Sequence, residues 1–333
     1  MEERELESVS EVEPVPSHKW IFETIPHSYH VLLVLASILT ISPVILVTEY
    51  QDLDPFVLAS VRSAIISLLC IPRLLYYRID PEPEGKFFKL SVRAFFSAFY
   101  TVSVYYSFRY MNLADSRTIS AFQPVLVSII ACVVLSESCG KMDYLAHALF
   151  GMATLILMRP ALVFGLPGDS ILSRQYLMDF MLTTAGTFFQ AGGFTATRVV
   201  LDVDVCVILI WNGLFAIIPS LALSLIFGTF HLPTAEHANV LIICGVMAFL
   251  GQGCLTIALQ VEEAGKVALI SKSYDMIVTF MIQVAFYEAV IDLHTSVGFA
   301  LLVMAMVIMT LKLHMDSSYQ RLDGGKCWWI EYT

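Results

Sequence analysis

Two charged side chains, Lys272 and Asp275, lie three residues apart within the apolar stretch ALISKSYDMIVTFMIQV (268–284). At this spacing they share one face of a helix, and Thr279 and Gln283 continue the same polar stripe. A Lys or an Asp at the centre of a membrane-spanning helix costs about 2.5–3.5 kcal/mol, so the stripe must face a partner or a water-filled cavity. Two interpretations follow: the pair is a structural link between helices, or it lines a cavity that receives a solute.

A third charge, Arg62, lies about a third of the way into another apolar stretch, too deep to reach the membrane surface easily, and we expect it to face the same cavity or to act in gating. Arg93 lies nearer the end of its stretch, and we expect its side chain to extend to the membrane surface. The predicted cavity lining consists of Arg62, Gln123, Gln190, Lys272, Tyr274, Asp275 and Thr279.

Residues that interrupt helices occur in the same apolar stretches. Proline lacks an amide hydrogen and therefore frees a backbone carbonyl, whereas glycine lets a second helix approach closely. In membrane proteins with internal repeats, paired interruptions mark the solute site, although the glycines are equally typical of close packing. The predicted helix-break or gating residues are Pro43, Pro124, Gly192, Gly193, Gly251 and Gly253.

The composition predicts the elements that must position these side chains. The chain of 333 residues is 57% hydrophobic and 14% charged, with a mean hydropathy of +0.75, whereas a soluble domain carries roughly 25% charged residues. About 20 mostly apolar residues cross a bilayer as a helix. The sequence therefore predicts an all-α membrane protein with ten transmembrane helices, near residues 30–48, 55–75, 89–109, 114–136, 143–162, 178–199, 205–228, 238–260, 264–287 and 292–313.

Charged residues outside the spans predict the orientation, because Lys and Arg concentrate in cytoplasmic loops. With the N-terminus in the cytoplasm, twelve Lys and Arg residues fall in cytoplasmic segments and four outside, so both termini are predicted to be cytoplasmic. Residues 1–28 include the acidic run EERELESVSEVE and are expected to form a disordered tail. Residues 314–333 form a second tail.

The chain also repeats itself weakly. Residues 118–137 align without a gap with residues 269–288, so that Glu137 matches Glu288. This alignment divides the ten spans into two sets of five, and an odd number of spans forces the second set to enter the membrane in the opposite orientation. We therefore predict two inverted five-helix repeats, 29–162 and 178–313, joined by a connecting loop at 163–177. Repeats of this kind place a solute near the midplane between the halves.

The stretches YMNLADSRTISAFQPVLVSIIACVVLSES (110–138) and ALQVEEAGKVALISKSYDMIVTFMIQVAFYE (258–288) resemble the EamA halves of drug/metabolite transporters, and more narrowly the G-type members of solute carrier family 35. The resemblance implies ten helices, two repeats and alternating access for a small metabolite. Gln123–Pro124 stands where that family usually has Ser-Pro, and Ser136–Glu137 stands in place of Gly-Glu.

Two cations, Arg62 and Lys272, against one acid, Asp275, would favour an anion, so the expected solute is a small organic anion. The alternative is a membrane adaptor that does not transport and binds partner proteins through its cytoplasmic tails. Cysteine and histidine spacings indicate no metal site, and no phosphate-binding loop, GxSxG or HExxH motif occurs. We therefore expect no metal, no cofactor and no enzyme activity, with residence in the plasma membrane or in endoplasmic reticulum or Golgi membranes.

Overall fold

The computed structural model of the chain describes residues 31–39, 54–110, 113–137, 140–158, 174–227, 235–286 and 292–322. Within these ranges every regular element is a helix. The N-terminal tail, Pro43, most of the loop at 163–177, Glu288 and the end of the C-terminal tail lie outside the described residues, so the predictions for them stay predictions.

The described helices follow the predicted spans closely. They are α1 (31–39), α2 (Pro55–Tyr77), α3 (Phe87–Tyr110), α4 (Leu113–Ala121), α5 (Gln123–Val134), α6 (Lys141–Met158), α7 (Arg174–Arg198), α8 (Val205–Ile226), α9 (Ala235–Val261), α10 (Ala264–Phe286) and α11 (Leu293–Leu322). Four ranges are long and apolar enough to cross a membrane by length and composition: Pro55–Tyr77, Val205–Ile226, Ala238–Val261 and Leu293–Lys312.

The predicted fourth span is divided into α4 and α5. The division falls at Phe122, two residues before Pro124, whose ring nitrogen carries no hydrogen for the helical ladder. The Phe122 amide bonds the Ile119 carbonyl instead, at 3.2 Å, which is the tighter spacing of a 3₁₀ turn. The sequence therefore breaks this span at the proline that the pattern singled out.

Helices of the first half pack mainly against helices of the second. Helix α2 packs on α8, α5 on α10 and α6 on α11, so three helices of the first half pack against their counterparts in the second. Two further contacts, α3 with α8 and α2 with α9, also cross between the halves. This pattern is typical of two repeats that are related by a pseudo-two-fold axis.

Small residues on α7 allow α3 to approach closely. A methyl group on Gly186 would lie 2.6 Å from the Ser103 side chain, and one on Gly192 would lie 3.1 Å from the Phe96 ring. Farther along, Gly193 faces Ser97 and Thr197 faces Arg93. Close packing of small residues is the main source of helix association in a bilayer, so this face of α7 holds the two halves together.

Gly213 provides a direct test of the contact between α2 and α8. A methyl group there would lie 2.8 Å from the Ser63 carbonyl oxygen and would overlap the Ser67 hydroxyl. Because a backbone oxygen cannot rotate away, we expect Gly213→Ala to destabilise the protein by about 1–3 kcal/mol, measured by thermal unfolding in detergent. The matched control is Gly253→Ala, since no atom of another described helix lies within 4 Å of the added methyl group. Equal melting temperatures for the two variants would contradict the close approach.

Candidate functional site

A polar cavity of about 190 Å³ lies between the two halves. Its wall comes from α2, α3 and α4 of the first half and from α7, α8, α9 and α10 of the second. The residues in the wall are Arg62, Ser63, Ile66, Arg93, Ser97, Tyr100, Thr101, Val104, Tyr105, Ser120, Gln190, Gly193, Phe194, Asn212, Gly213, Ala216, Gln252, Leu255, Thr256, Leu259, Ser271, Lys272 and Asp275.

Lys272 and Asp275 lie together in this wall. The Lys272 Nζ atom is 3.3 Å from Asp275 Oδ2, as the spacing of three residues on one helix allows. Both side chains are largely buried, with 14% and 15% of their surfaces exposed. The other carboxylate oxygen, Asp275 Oδ1, has no hydrogen-bond partner among the described residues. The pair is thus both an internal ion pair and part of the cavity wall.

Arg62 reaches the cavity from α2. Its guanidinium is in hydrogen-bonding contact with the Tyr105 phenol of α3, which also lies in the wall. Its Nε atom is buried and has no hydrogen-bond partner within the described ranges. The structure therefore places Arg62 in the cavity wall.

Arg93 also lies in the wall, and the expectation that it extends to the membrane surface is wrong. The residue is 6% exposed, and its Nε atom donates to Thr197 Oγ1 at 3.1 Å. The physical reason is its direction: Arg93 lies near the start of α3, but on the face that packs against α7. The position of Arg93 in the wall could have been found by asking which helix face carries the charged residue, in addition to how deep it lies in the span.

The cavity wall carries more positive than negative charge. Three cationic side chains, Arg62, Arg93 and Lys272, accompany one carboxylate, Asp275. At an effective dielectric constant near 20, each full charge at 4 Å contributes about 4 kcal/mol of Coulomb energy, so the charge imbalance is large on the scale of binding energies. The amides of Gln190, Asn212 and Gln252 add neutral hydrogen-bonding groups.

Three residues predicted for the lining lie elsewhere. Gln123 is fully buried at the start of α5, away from the cavity wall. Tyr274 lies two residues from Lys272 and thus on another face of α10, where it packs against a hydrophobic cluster. The Thr279 hydroxyl donates to the Asp275 carbonyl of its own helix at 2.7 Å, beyond the end of the cavity wall.

Small residues of the fourth span mostly pack against other helices. Ala121 belongs to the hydrophobic core, and the Ser128 hydroxyl lies 2.9 Å from Nε2 of His147 on α6. A methyl group on Gly265 of α10 would lie 2.5 Å from that same hydroxyl, so α5 and α10 are in close contact there. The contribution of this span to the cavity wall comes from Ser120.

Some of the predicted helix-break residues lie in the cavity wall, and others pack against neighbouring helices. Pro124 is buried, and its missing amide hydrogen leaves the carbonyl of Ser120 without its usual helical donor. Gly193 lies in the wall, whereas Gly192 packs against Phe96. Gly251 and Gly253 lie outside the wall, on either side of Gln252, which belongs to it. Pro43 falls outside the described residues.

A second cluster of charges, which we call the end cluster, closes one end of the bundle. It consists of Glu137 after α5, Arg198 at the end of α7, the Leu259 carbonyl and the Ala264 amide. Arg198 Nε lies 3.3 Å from Glu137 Oε1, Arg198 Nη1 donates to Leu259 O at 3.1 Å, and the Ala264 amide donates to Glu137 Oε2 at 3.0 Å. Burial raises the pKa of Glu137, while the Ala264 amide and Arg198 oppose that rise.

The end cluster joins helices of both halves at the end where the loops are rich in Lys and Arg. Three further ion pairs join distant parts of the chain at the same end: Arg73 with Asp204 at 3.0 Å, Lys86 with Asp202, and Lys312 with Asp143. In this conformation the bundle is therefore held together at its predicted cytoplasmic end. Glu137 lies at the centre of that contact.

Sequence reasoning also missed Asn212 in the wall. Asparagine is rare in this chain, and Asn212 stands alone in the apolar run VCVILIWNGLFAIIP of α8. A lone amide in a membrane-spanning helix is costly unless it meets a partner or a cavity, and that signal was present in the sequence. The two tyrosines of the wall, Tyr100 and Tyr105, carried no such signal, because the third span is rich in aromatic residues throughout.

The chain resembles known membrane proteins over most of its length. The family model described as EamA-like transporter family matches residues 28–159 and again residues 177–311, so one unit occurs twice. Solute carrier family 35 member G1 of Homo sapiens is 28% identical over 269 residues, which cover 78% of this chain and 72% of that protein. The Mus musculus protein of the same name is 27% identical over 252 residues, covering 73% and 67%. One solved crystal structure matches the fold with a TM-score of 0.72 at 15% sequence identity, covering 85% of this chain and 96% of that chain.

Proposed function

Because the chain belongs to the EamA-like transporter family, we propose that it moves a small organic anion across its membrane by alternating access through the cavity between its halves. Family membership makes the chain a multi-pass membrane transporter of small molecules and confirms the resemblance seen in residues 110–138 and 258–288. It also assigns the chain a transport role, not a catalytic one.

The observation that carries the anionic part of the proposal is the charge of the cavity wall. Arg62, Arg93 and Lys272 share the cavity wall with a single carboxylate, Asp275. An anion that enters replaces water around these cations and gains Coulomb energy that a cation would lose. We assign Arg62, Arg93, Gln190, Lys272 and Asp275 to solute binding.

The end cluster supports alternating access. A solute in the cavity reaches the predicted cytoplasmic side only when the contacts of Arg198 with Glu137 and Leu259 separate. The proposal therefore includes two inverted repeats of five helices, 29–162 and 178–313, ten membrane-spanning helices in all, with both termini in the cytoplasm. The halves rock about the cavity, and the end cluster opens in one of the two end states.

Proteoliposomes that contain the purified full chain test the proposal. We expect accumulation of labelled organic anions, trans-stimulated by the same anion inside, and no accumulation of organic cations of similar size. Liposomes without the protein give the background rate. Uptake of cations in preference to anions would overturn the anionic part, and the absence of any solute flux would overturn transport itself.

The alternative function, a membrane adaptor that binds partners through its tails, makes the opposite prediction for truncation. We expect removal of residues 1–28 and 323–333 to leave uptake within about twofold, since the cavity wall lies wholly between Arg62 and Asp275. The measurement compares uptake at equal protein abundance in the membrane. Loss of partner binding together with an absence of uptake in the full-length chain would favour the adaptor.

A further inference from the structure

We propose that Cys70 and Cys206 form a redox-active thiol pair, which a peroxide oxidises to a disulfide that links the two halves of the transporter. Cys70 lies on α2 in the first half, and Cys206 lies on α8 in the second. Both are free cysteines, and their side chains are in hydrogen-bonding contact with each other. The disulfide itself is independent of the proposed function, whereas its effect on transport rests on that function.

The two helices that carry these cysteines run antiparallel and are in contact from end to end. The Asp54 carboxylate, just before α2, accepts a hydrogen bond from the Ser224 hydroxyl near the end of α8. At the opposite end, Arg73 of α2 pairs with Asp204, the N-cap residue of α8, at 3.0 Å. The cysteines therefore belong to a continuous interface between the halves, close to its predicted cytoplasmic end.

The backbones of α2 and α8 approach each other closely enough for a disulfide. A methyl group on Gly213 of α8 would lie 2.8 Å from the Ser63 carbonyl oxygen of α2. Cys206 precedes Gly213 by seven residues and Cys70 follows Ser63 by seven, which is about two turns along each helix. Residues seven apart share one helix face, so the antiparallel helices bring the two cysteines opposite each other. Such close packing favours the short Cα–Cα distance of a disulfide, roughly 4.4–6.8 Å.

The surroundings of the two thiols assign their roles in the oxidation. Cys206 lies in the first turn of α8, where its amide donates to Asp204 Oδ1 at 2.8 Å. The backbone amides at a helix N-terminus favour a thiolate, which is the form that attacks an oxidant. Cys206 is also 6% exposed, whereas Cys70 is fully buried. Cys206 is therefore the thiol that meets the oxidant, and Cys70 completes the disulfide from within the interface.

The reaction balances with hydrogen peroxide as the oxidant, a molecule little larger than water. The Cys206 thiolate attacks one peroxide oxygen and the O–O bond breaks, which leaves a sulfenic acid on Cys206 and, with the proton that the thiol had released, one water molecule. The Cys70 sulfur then attacks the sulfenic sulfur, and the departing hydroxyl leaves as water with the Cys70 proton. The two thiols thus lose two electrons and two protons, which reduce one peroxide to two water molecules.

The disulfide has a direct consequence for alternating access. It joins α2 to α8 at the end of the bundle that must open toward the cytoplasm, and a covalent bond does not separate as an ion pair does. Oxidation therefore holds the carrier closed at that end until the bond is reduced. Cytosolic reductants keep most thiols reduced, so the pair responds only when peroxide rises and recovers afterwards.

The test exposes the purified full-length chain in proteoliposomes to hydrogen peroxide, blocks the remaining thiols and maps the peptides without reduction. We expect a linked peptide that contains Cys70 and Cys206, and we expect dithiothreitol to remove it. Uptake of labelled organic anions should fall in proportion to the linked fraction and recover on reduction. The peptide map uses the wild-type chain, so it gives an answer even if a variant folds poorly.

Variants assign the inhibition to this pair. Cys70→Ala and Cys206→Ala should each transport like the reduced wild type and resist peroxide, since alanine suits the hydrophobic cluster that surrounds both residues. Cys254→Ala is the matched control: Cys254 of α9 is more exposed than either member of the pair, but we expect this variant to be linked and inhibited like the wild type.

The possible failures are distinguishable. Absence of the linked peptide after oxidation would overturn the thiol pair and leave the proposed function intact. A linked peptide with unchanged uptake would overturn its effect on transport. Absence of anion uptake in the reduced wild-type chain would overturn the proposed function, whether or not the linked peptide forms.

Discussion

Replacing Lys272 by alanine is expected to reduce anion uptake by at least about a hundredfold while the amount of protein in the membrane stays near the wild-type level. Lys272 is one of three cations in the cavity wall, and at an effective dielectric constant near 20 one charge at 4 Å contributes about 4 kcal/mol of Coulomb energy to a bound anion. Without Lys272, the carboxylate of Asp275 would repel the anion in the cavity wall. Initial uptake rates in proteoliposomes, normalised to reconstituted protein, measure the effect.

The double variant Lys272→Ala with Asp275→Ala distinguishes binding from a purely structural pair. If the pair only links helices, the single variant loses abundance and the double variant recovers both abundance and uptake. If Lys272 holds the solute, the double variant is stable but still does not transport. Arg62→Ala should give the same loss of uptake from the other side of the cavity. Unchanged uptake in both single variants would refute this site.

Replacing Arg198 by alanine is expected to lower the free energy of unfolding by about 3–5 kcal/mol, the largest stability effect that we predict. Arg198 is 4% exposed and Glu137 is 10% exposed, so the loss leaves a carboxylate buried at the junction of four helices. The Leu259 carbonyl loses its donor in the same substitution. Denaturant unfolding of the purified protein in detergent measures the change.

The control for this prediction is a second substitution in the same cluster. Adding Glu137→Gln to Arg198→Ala removes the uncompensated charge but keeps an oxygen for the Ala264 amide, and we expect it to recover more than half of the lost stability. Full stability in Arg198→Ala alone would mean that the end cluster contributes little to the observed conformation. Glu137→Gln by itself should be milder than Arg198→Ala.

Most of the helical architecture could be predicted from the sequence, because apolar runs of about 20 residues have few alternatives to a membrane-spanning helix. The break at Phe122 also follows from chemistry that the sequence displays, since Pro124 has no amide hydrogen to donate. The packing of α2 on α8 could not be predicted in the same way. It depends on the close contact between Gly213 and Ser63, and neither span by itself indicates which residue of the other it contacts.

Residues of the cavity wall could be predicted where a charged side chain occurs in an apolar span. Arg62, Lys272 and Asp275 are charged groups in apolar spans, and all three lie in the cavity wall. Helical periodicity correctly aligned Thr279 with them, but periodicity specifies a face and not the depth at which the cavity ends. The expectation for Arg93 was wrong because it used only the depth of the residue in the span, and depth does not show which neighbouring helix a side chain contacts.

The interrupted fourth span has a consequence for how this cavity is mapped. The oxygen that Pro124 deprives of a donor belongs to the main chain at Ser120, so exchanging the Ser120 side chain leaves it in place. Systematic alanine scanning of the wall would pass over this group without a signal. Only a change of the proline itself, or an ester in place of the peptide bond, tests whether this oxygen takes part in solute binding.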